Sequence, residues 1–128
     1  MDARCTGAQL TGSIIGAAIE VHRVLGPGLL ESAYESCLAH ELRLRGLEVR
    51  CQVPLPVVYK GTPLDVGYRL DLVVEDRVLV ETKCTESILP IHRAQILTYL
   101  RLSGLRLGLL LDFKVATLRD GGIERFAN

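Results

Sequence analysis

The chain has 128 residues, with 15 Lys plus Arg against 15 Asp plus Glu, so its formal net charge is zero and no long-range field announces a highly charged partner. That length suits a single domain over residues 1–128 and excludes a second one. Hydrophobic residues make up 48% of the chain, only 5% is aromatic, and the mean hydropathy is +0.27, so the interior is aliphatic and the surplus of apolar surface predicts a homo-oligomer.

Leu10 to Leu25 carries Ile14, Ile15, Ala18, Ile19, His22 and Leu25 at helical spacing and stops at Gly26-Pro27-Gly28, which predicts a first helix. A second is predicted from Leu30 to Arg45, where Leu30, Tyr34, Leu38 and Leu42 recur at four-residue steps and Gly46 ends the pattern. Leu47, Val49, Cys51 and Val53 then alternate with Glu48, Arg50 and Gln52, and Val57-Val58-Tyr59 runs into the turn signal Lys60-Gly61. Both read as strands, with Pro54 and Pro56 marking an edge or a break between them. Tyr68 to Val74 and Val78 to Lys83 form an apolar hairpin around Glu75-Asp76-Arg77. Pro90 opens a helix that runs to Ser103 and ends at Gly104. Leu105 to Leu111 suits a strand buried on both faces, and a short strand or tail lies between Val115 and Phe126. The order predicts an α/β fold, a single three-layer domain with a central mixed β-sheet flanked by helices. No repeat, low-complexity stretch or linker interrupts it.

The hairpin holds the most informative residues. If Glu75-Asp76-Arg77 is the loop, Val74 pairs with Val78, and counting outward sets Asp71 opposite Glu81 with Lys83 on the same face. Opposed like charges destabilise a sheet by roughly 0.2–1 kcal/mol per pair, so two acids there call for a compensating cation. Mg²⁺ suits carboxylate and carbonyl oxygens, and the backbone carbonyl of Thr82 offers a further ligand. Such an ion acidifies a bound water and stabilises charge on a phosphoryl oxygen, while Lys83 orients the water or offsets the developing charge. The chemistry expected is phosphodiester hydrolysis. The same D-x9-E-x-K spacing also suits a plain solvated strand face on which Glu81 and Lys83 are an exposed pair.

Gln95 and Tyr99 lie four apart on one face of the third helix, where an amide and a phenol can hold a phosphate, a base or a water, or be a solvated neighbour and a core aromatic. Glu31 opens the second helix, where the dipole favours an acid by about 0.3–1 kcal/mol, and it shares a face with Tyr34, from which it can complete a metal sphere. His22, His40 and His92 lie near apolar stripes and read as structural, with His92 the first exception because it is near Gln95. Cys84 points away from Lys83's face and reads as core. Arg43, Arg45, Arg50, Lys60, Arg69, Arg93, Arg101 and Arg106 are spread along the chain, so only folding decides whether they form a basic stripe.

Several classes drop out. Cys5, Cys37, Cys51 and Cys84 show neither zinc-ligand nor disulfide spacing and read as reduced thiols. No phosphate-binding glycine loop and no Ser/His/Asp arrangement is present. The N-terminus lacks the pattern of a signal peptide and no apolar run spans a bilayer, which predicts a cytoplasmic protein with no membrane partner.

Gly28-Leu29-Leu30-Glu31-Ser32-Ala33-Tyr34 resembles the signature of the GxxExxY proteins, a bacterial family of the PD-(D/E)XK nuclease superfamily. Ile19-Glu20-Val21-His22, Leu25-Gly26-Pro27-Gly28, and Leu89-Pro90-Ile91-His92 with Gln95 and Tyr99 are similar to that family too, so the resemblance covers residues 11 to 118 or so. It implies a restriction-endonuclease-like core and a Mg²⁺- or Mn²⁺-dependent nuclease, with Glu31, Asp71 and Glu81 around the metal and Lys83 assisting. Gln95 and Tyr99 match a Q-x-x-x-Y motif whose helix contacts DNA in the nuclease domains of recombination-repair helicases. The short chain lacks a DNA-recognition module, so the implied activity has no strong sequence specificity. A different outcome fits the aliphatic, uncharged composition: a self-assembling structural or binding protein that keeps the nuclease fold without turnover.

Overall fold

The computed structural model describes residues 5–128, and its first helix, α1 (Gly7–Leu25), starts three residues ahead of the apolar stripe. Thr6 Oγ1 accepts the Gln9 amide at 3.0 Å and Gln9 Oε1 accepts the Thr6 amide at 2.7 Å. This reciprocal cap satisfies two end donors and carries no periodic signal, so apolar spacing alone places the start too late. The second helix, α2 (Glu31–Leu44), follows Leu30, whose backbone stays extended, and matches the expected span to one residue at each end.

Strands make up most of the remainder, with a third helix among them: β1 (Val49–Pro54), β2 (Val57–Tyr59), β3 (Thr62–Leu64), β4 (Arg69–Val74), β5 (Val78–Lys83), then α3 (Pro90–Ser103), β6 (Leu107–Asp112) and β7 (Ile123–Ala127). Two expectations need correction. The strand pattern read from the sequence stops at the Lys60-Gly61 turn and misses β3, which is three exposed residues around Pro63; left-handed Lys60 and Gly61 fold it back so that Tyr59 pairs with Thr62. The last strand is confined to Ile123–Ala127, because bends and turns occupy Lys114 to Gly122 and left-handed Gly121 turns the chain just before β7 begins.

The main sheet has the order β1-β4-β5-β6-β7, with β5 and β6 parallel and the other neighbours antiparallel. The parallel pair is joined through α3, as a parallel connection requires a crossover. β1 is an edge strand, which is where Pro54 is tolerated. On one face α1 and α2 pack Leu10, Ile14, Leu38 and Leu42 against Leu72, Val80 and Leu109; on the other, Ile96, Tyr99 and Leu100 of α3 cover Val73, Leu79 and Leu110. The result is the three-layer α/β domain expected from the sequence. Cys51, on the apolar side of the predicted alternation, is exposed: Gln52 beside it has φ +51°, which breaks the strand's period. Cys84 is half-buried against the α1/α2 core, and all four cysteines are free thiols.

Candidate active site

The hairpin turn forms as expected, with Glu75 and Asp76 both left-handed and Arg77 N–H donating to the Val74 carbonyl at 3.0 Å. Val74 pairs with Val78, and the ladder continues through Leu72 and Val80. At the next step side chains take over. Asp71 N–H donates to Glu81 Oε2 at 2.9 Å, and Thr82 N–H donates to Asp71 Oδ2 at 2.9 Å. Thr82 Oγ1 adds a 3.3 Å hydrogen bond to the same Asp71 oxygen. The strands part at this point, and each acid holds a backbone amide that would otherwise lack a partner. The alternation also breaks here: Leu70 packs on the α3 side, while Leu72 packs on the α1/α2 side.

Glu81 is 3% exposed, which rules out the plain solvated-face arrangement. Burial, and then the charge of Asp71, push its carboxyl up to about 8, against the smaller opposing effects of the Asp71 amide and Lys83. Lys83 Nζ lies 3.4 Å from Gln95 Oε1, and Gln95 Nε2 donates to the Tyr99 hydroxyl at 3.1 Å. The structure thus joins Lys83, Gln95 and Tyr99 in one chain from β5 to α3. Tyr99 is both core and site: its ring is buried with Leu100 and Leu110, burial raises its phenol, and its hydroxyl meets Gln95.

Glu31 is exposed at the start of α2. Partial desolvation raises its carboxyl first, Lys83 opposes that shift and Asp71 adds to it, so Glu31 does face the Asp71 and Lys83 end of the sheet. His92 Nδ1 accepts the Leu89 amide at 3.0 Å, which makes it a helix-start acceptor. His22 Nε2 meets the Val115 carbonyl at 2.8 Å, a structural role as expected. Arg45, Arg50, Arg69 and Arg93 pair with Glu41, Asp76, Asp65 and Glu124, so these four do not line up as a free basic stripe.

Three residues escaped the sequence reading. Glu35 lies one helical turn after Glu31, and Gln52 Nε2 donates to its Oε2 at 2.8 Å while standing 3.5 Å from Asp71 Oδ1. Burial raises the Glu35 carboxyl, with Gln52 opposing and Asp71 and Glu31 adding. The i, i+4 step from Glu31 was the available signal for Glu35; Gln52 had none until β1 was paired with β4. Asp112, fully buried beside Lys83 in the β5–β6 ladder, accepts the amides of Thr85 and Lys114 at 3.1 Å each and fixes the loop that follows Lys83.

The donor chemistry fits a hard divalent cation. Carboxylates of Asp71, Glu81, Glu35 and Glu31 influence one another at one end of the sheet, with Lys83 the positive charge that opposes their mutual repulsion. Among the described residues no three His, Cys, Asp or Glu side chains are already gathered as a ligand group. The fit is therefore one of oxygen chemistry and uncompensated charge.

A family model of the PD-(D/E)XK nuclease superfamily matches residues 8–126. The chain belongs to that superfamily. The mixed five-stranded sheet and its three helices are consistent with the restriction-endonuclease-like fold, and membership implies a metal-dependent nuclease acting on nucleic acid. No curated protein and no solved structure matches the chain. Among the described residues no helix is long and apolar enough to cross a membrane.

Proposed function

We propose that this PD-(D/E)XK domain hydrolyses phosphodiester bonds in DNA without strong sequence specificity, with Asp71, Glu81 and Lys83 as its catalytic residues. The observation that carries this reading is the Asp71–Glu81 interlock, which holds two acids together at the parting of β4 and β5 with Lys83 two residues further along. Each acid commits one oxygen to a backbone amide; Asp71 Oδ1, which Gln52 Nε2 also meets at 3.5 Å, and Glu81 Oε1 would hold Mg²⁺ or Mn²⁺, with Glu31 and the Thr82 carbonyl as further ligands. A bound ion supplies positive charge that acidifies water and stabilises a phosphoryl oxygen.

The chain's own residues do the rest. Lys83 Nζ offsets negative charge that develops as the water oxygen bonds to phosphorus and an ester P–O bond breaks. Gln95 holds that ammonium from α3, and Gln95 with Tyr99 positions the substrate. The GxxExxY assignment and a cytoplasmic location belong to the same proposal. Tyr34 supports the former, since its hydroxyl donates to the Gly26 carbonyl and accepts the Leu29 amide at 3.1 Å, tying the glycine loop to Glu31's helix.

Cleavage of labelled single- and double-stranded DNA with Mg²⁺ or Mn²⁺, run beside Lys83→Ala, tests the reading. Metal-dependent cutting that is lost in the variant supports it, and equal cutting by both proteins removes it. A second reading, self-assembly without turnover, is favoured by exposed Val24, Leu30 and Leu44 on α1 and α2 and at their junction. Native mass measurement separates monomer from homo-oligomer.

A further inference from the structure

Beside Lys83 lies a pocket of about 220 Å³ whose walls include Tyr68, Ile91, Gln95, Thr98 and Tyr99. We propose that this pocket takes one unpaired nucleobase by stacking on Tyr68, so that the site acts on single-stranded nucleic acid or on a base drawn out of a duplex. The proposal rests on the nuclease reading and names the form of its substrate.

The pocket is smaller than the 300–1,000 Å³ or so of a drug-sized ligand site, a size for a fragment such as one ring system. Its composition suits a base. Tyr68 is 46% exposed and Ile91 on α3 is 68% exposed, and both line the same opening, one offering an aromatic and the other an aliphatic side chain. Tyr68 is held in place: its ring packs on Tyr99 at 5.9 Å between centroids and 49° between planes, and its carbonyl accepts the Leu55 amide at 3.0 Å. A fixed ring loses little freedom when a base stacks on it.

Continuity with the catalytic lysine identifies the occupant further. Gln95 lines the pocket and also meets Lys83 Nζ at 3.4 Å, so one amide separates a bound base from the proposed catalytic end. A nucleotide has that same division, an aromatic base at one end and an anionic phosphate at the other. The charge pattern agrees, because the chain is neutral overall and, among the described residues, five arginines are paired with acids. Weak phosphate attraction leaves stacking as the larger source of affinity, and every base offers a π-face. A base within a duplex must first leave its stack, at a cost of about a few kcal/mol, so an unpaired strand binds first.

The test uses Lys83→Ala protein with Mg²⁺ and a single-stranded oligodeoxynucleotide containing 2-aminopurine. Quenching of the fluorescent base on binding is expected, with Tyr68→Ala in the same background binding about 5- to 150-fold more weakly and Tyr68→Phe binding as before. Ile91→Ala, at an exposed helix position, should weaken binding in the same direction. Equal affinity of the Tyr68→Ala protein, equal affinity for the matched duplex, or no binding of the single strand overturns the inference. The binding readout needs no turnover. Tyr68-dependent quenching without cleavage by the wild type would remove the nuclease reading alone, whereas wild-type cutting that Tyr68→Ala leaves unchanged would remove the stacking site alone.

Discussion

The amide of Asp71 donates to the carboxyl of Glu81, while the carboxylate of Asp71 accepts the amide of Thr82, each at 2.9 Å. The pair replaces a step of the β4–β5 ladder with side-chain bonds and buries Glu81 against a neighbouring negative charge. That placement makes Glu81 a proton-binding group near neutrality when no cation offsets it.

Stability of the metal-free protein should therefore fall with rising pH. The folded value of about 8 lies above the ordinary 4.5, so protonated Glu81 favours the fold; this contribution is full below about pH 4.5 and is lost as pH rises through 8. Its size is roughly 2 to 5 kcal/mol at most. Glu81→Gln should flatten the decline in denaturant unfolding measured from pH 5 to pH 9. Parallel profiles for wild type and variant would remove Glu81 as its source.

Lys83 and Gln95 should separate into two grades of loss. Asp71→Ala or Lys83→Ala should abolish cleavage while circular dichroism stays that of the folded protein. Gln95→Ala leaves the ammonium in place but removes its 3.4 Å partner on α3, so kcat should fall by about 10- to 100-fold, with Lys83 less well oriented. An unchanged kcat for Gln95→Ala would show that Lys83 is positioned without it.

Much of this arrangement could be read from the chain because it depends on local spacing. The β4–β5 loop length fixed the Val74–Val78 pairing, and with it the approach of Asp71 to Glu81. Pro90 and Gly104 bounded α3 and put Gln95 and Tyr99 on one face. Glu35 had a local signal in its i, i+4 step from Glu31, but Gln52 could not be found that way, because its meeting with Glu35 depends on β1 lying beside β4 and α2 lying over the same end of the sheet. Nor could the interlock itself: a spacing argument places two acids opposite each other but does not show that each bonds the other strand's backbone.

Tyr34 should prove a stabilising residue more than a catalytic one. It is fully buried, stacks on Phe113 at 4.6 Å, and its hydroxyl bridges Gly26 and Leu29. Tyr34→Phe keeps the ring and removes both bonds, which should cost about 1–2 kcal/mol in thermal or denaturant unfolding. Full stability in that variant would mean that water replaces the hydroxyl without loss.

Gln52 offers a sharper test, because its backbone and its side chain pull in opposite directions. At φ +51° a residue with a Cβ is strained and glycine is not, so Gln52→Gly should leave stability unchanged or raise it by a few tenths to about 1 kcal/mol. The same substitution deletes the amide that bonds Glu35 at 2.8 Å and stands 3.5 Å from Asp71. Those two carboxylates then lose their common anchor, and kcat should fall about tenfold, equivalent to ~1.4 kcal/mol of transition-state stabilisation. Gln52→Ala should show the same fall in kcat without the gain in stability. Equal activity in the glycine variant would reduce Gln52 to an edge-strand turn residue, with Asp71 held by the Thr82 amide and hydroxyl alone.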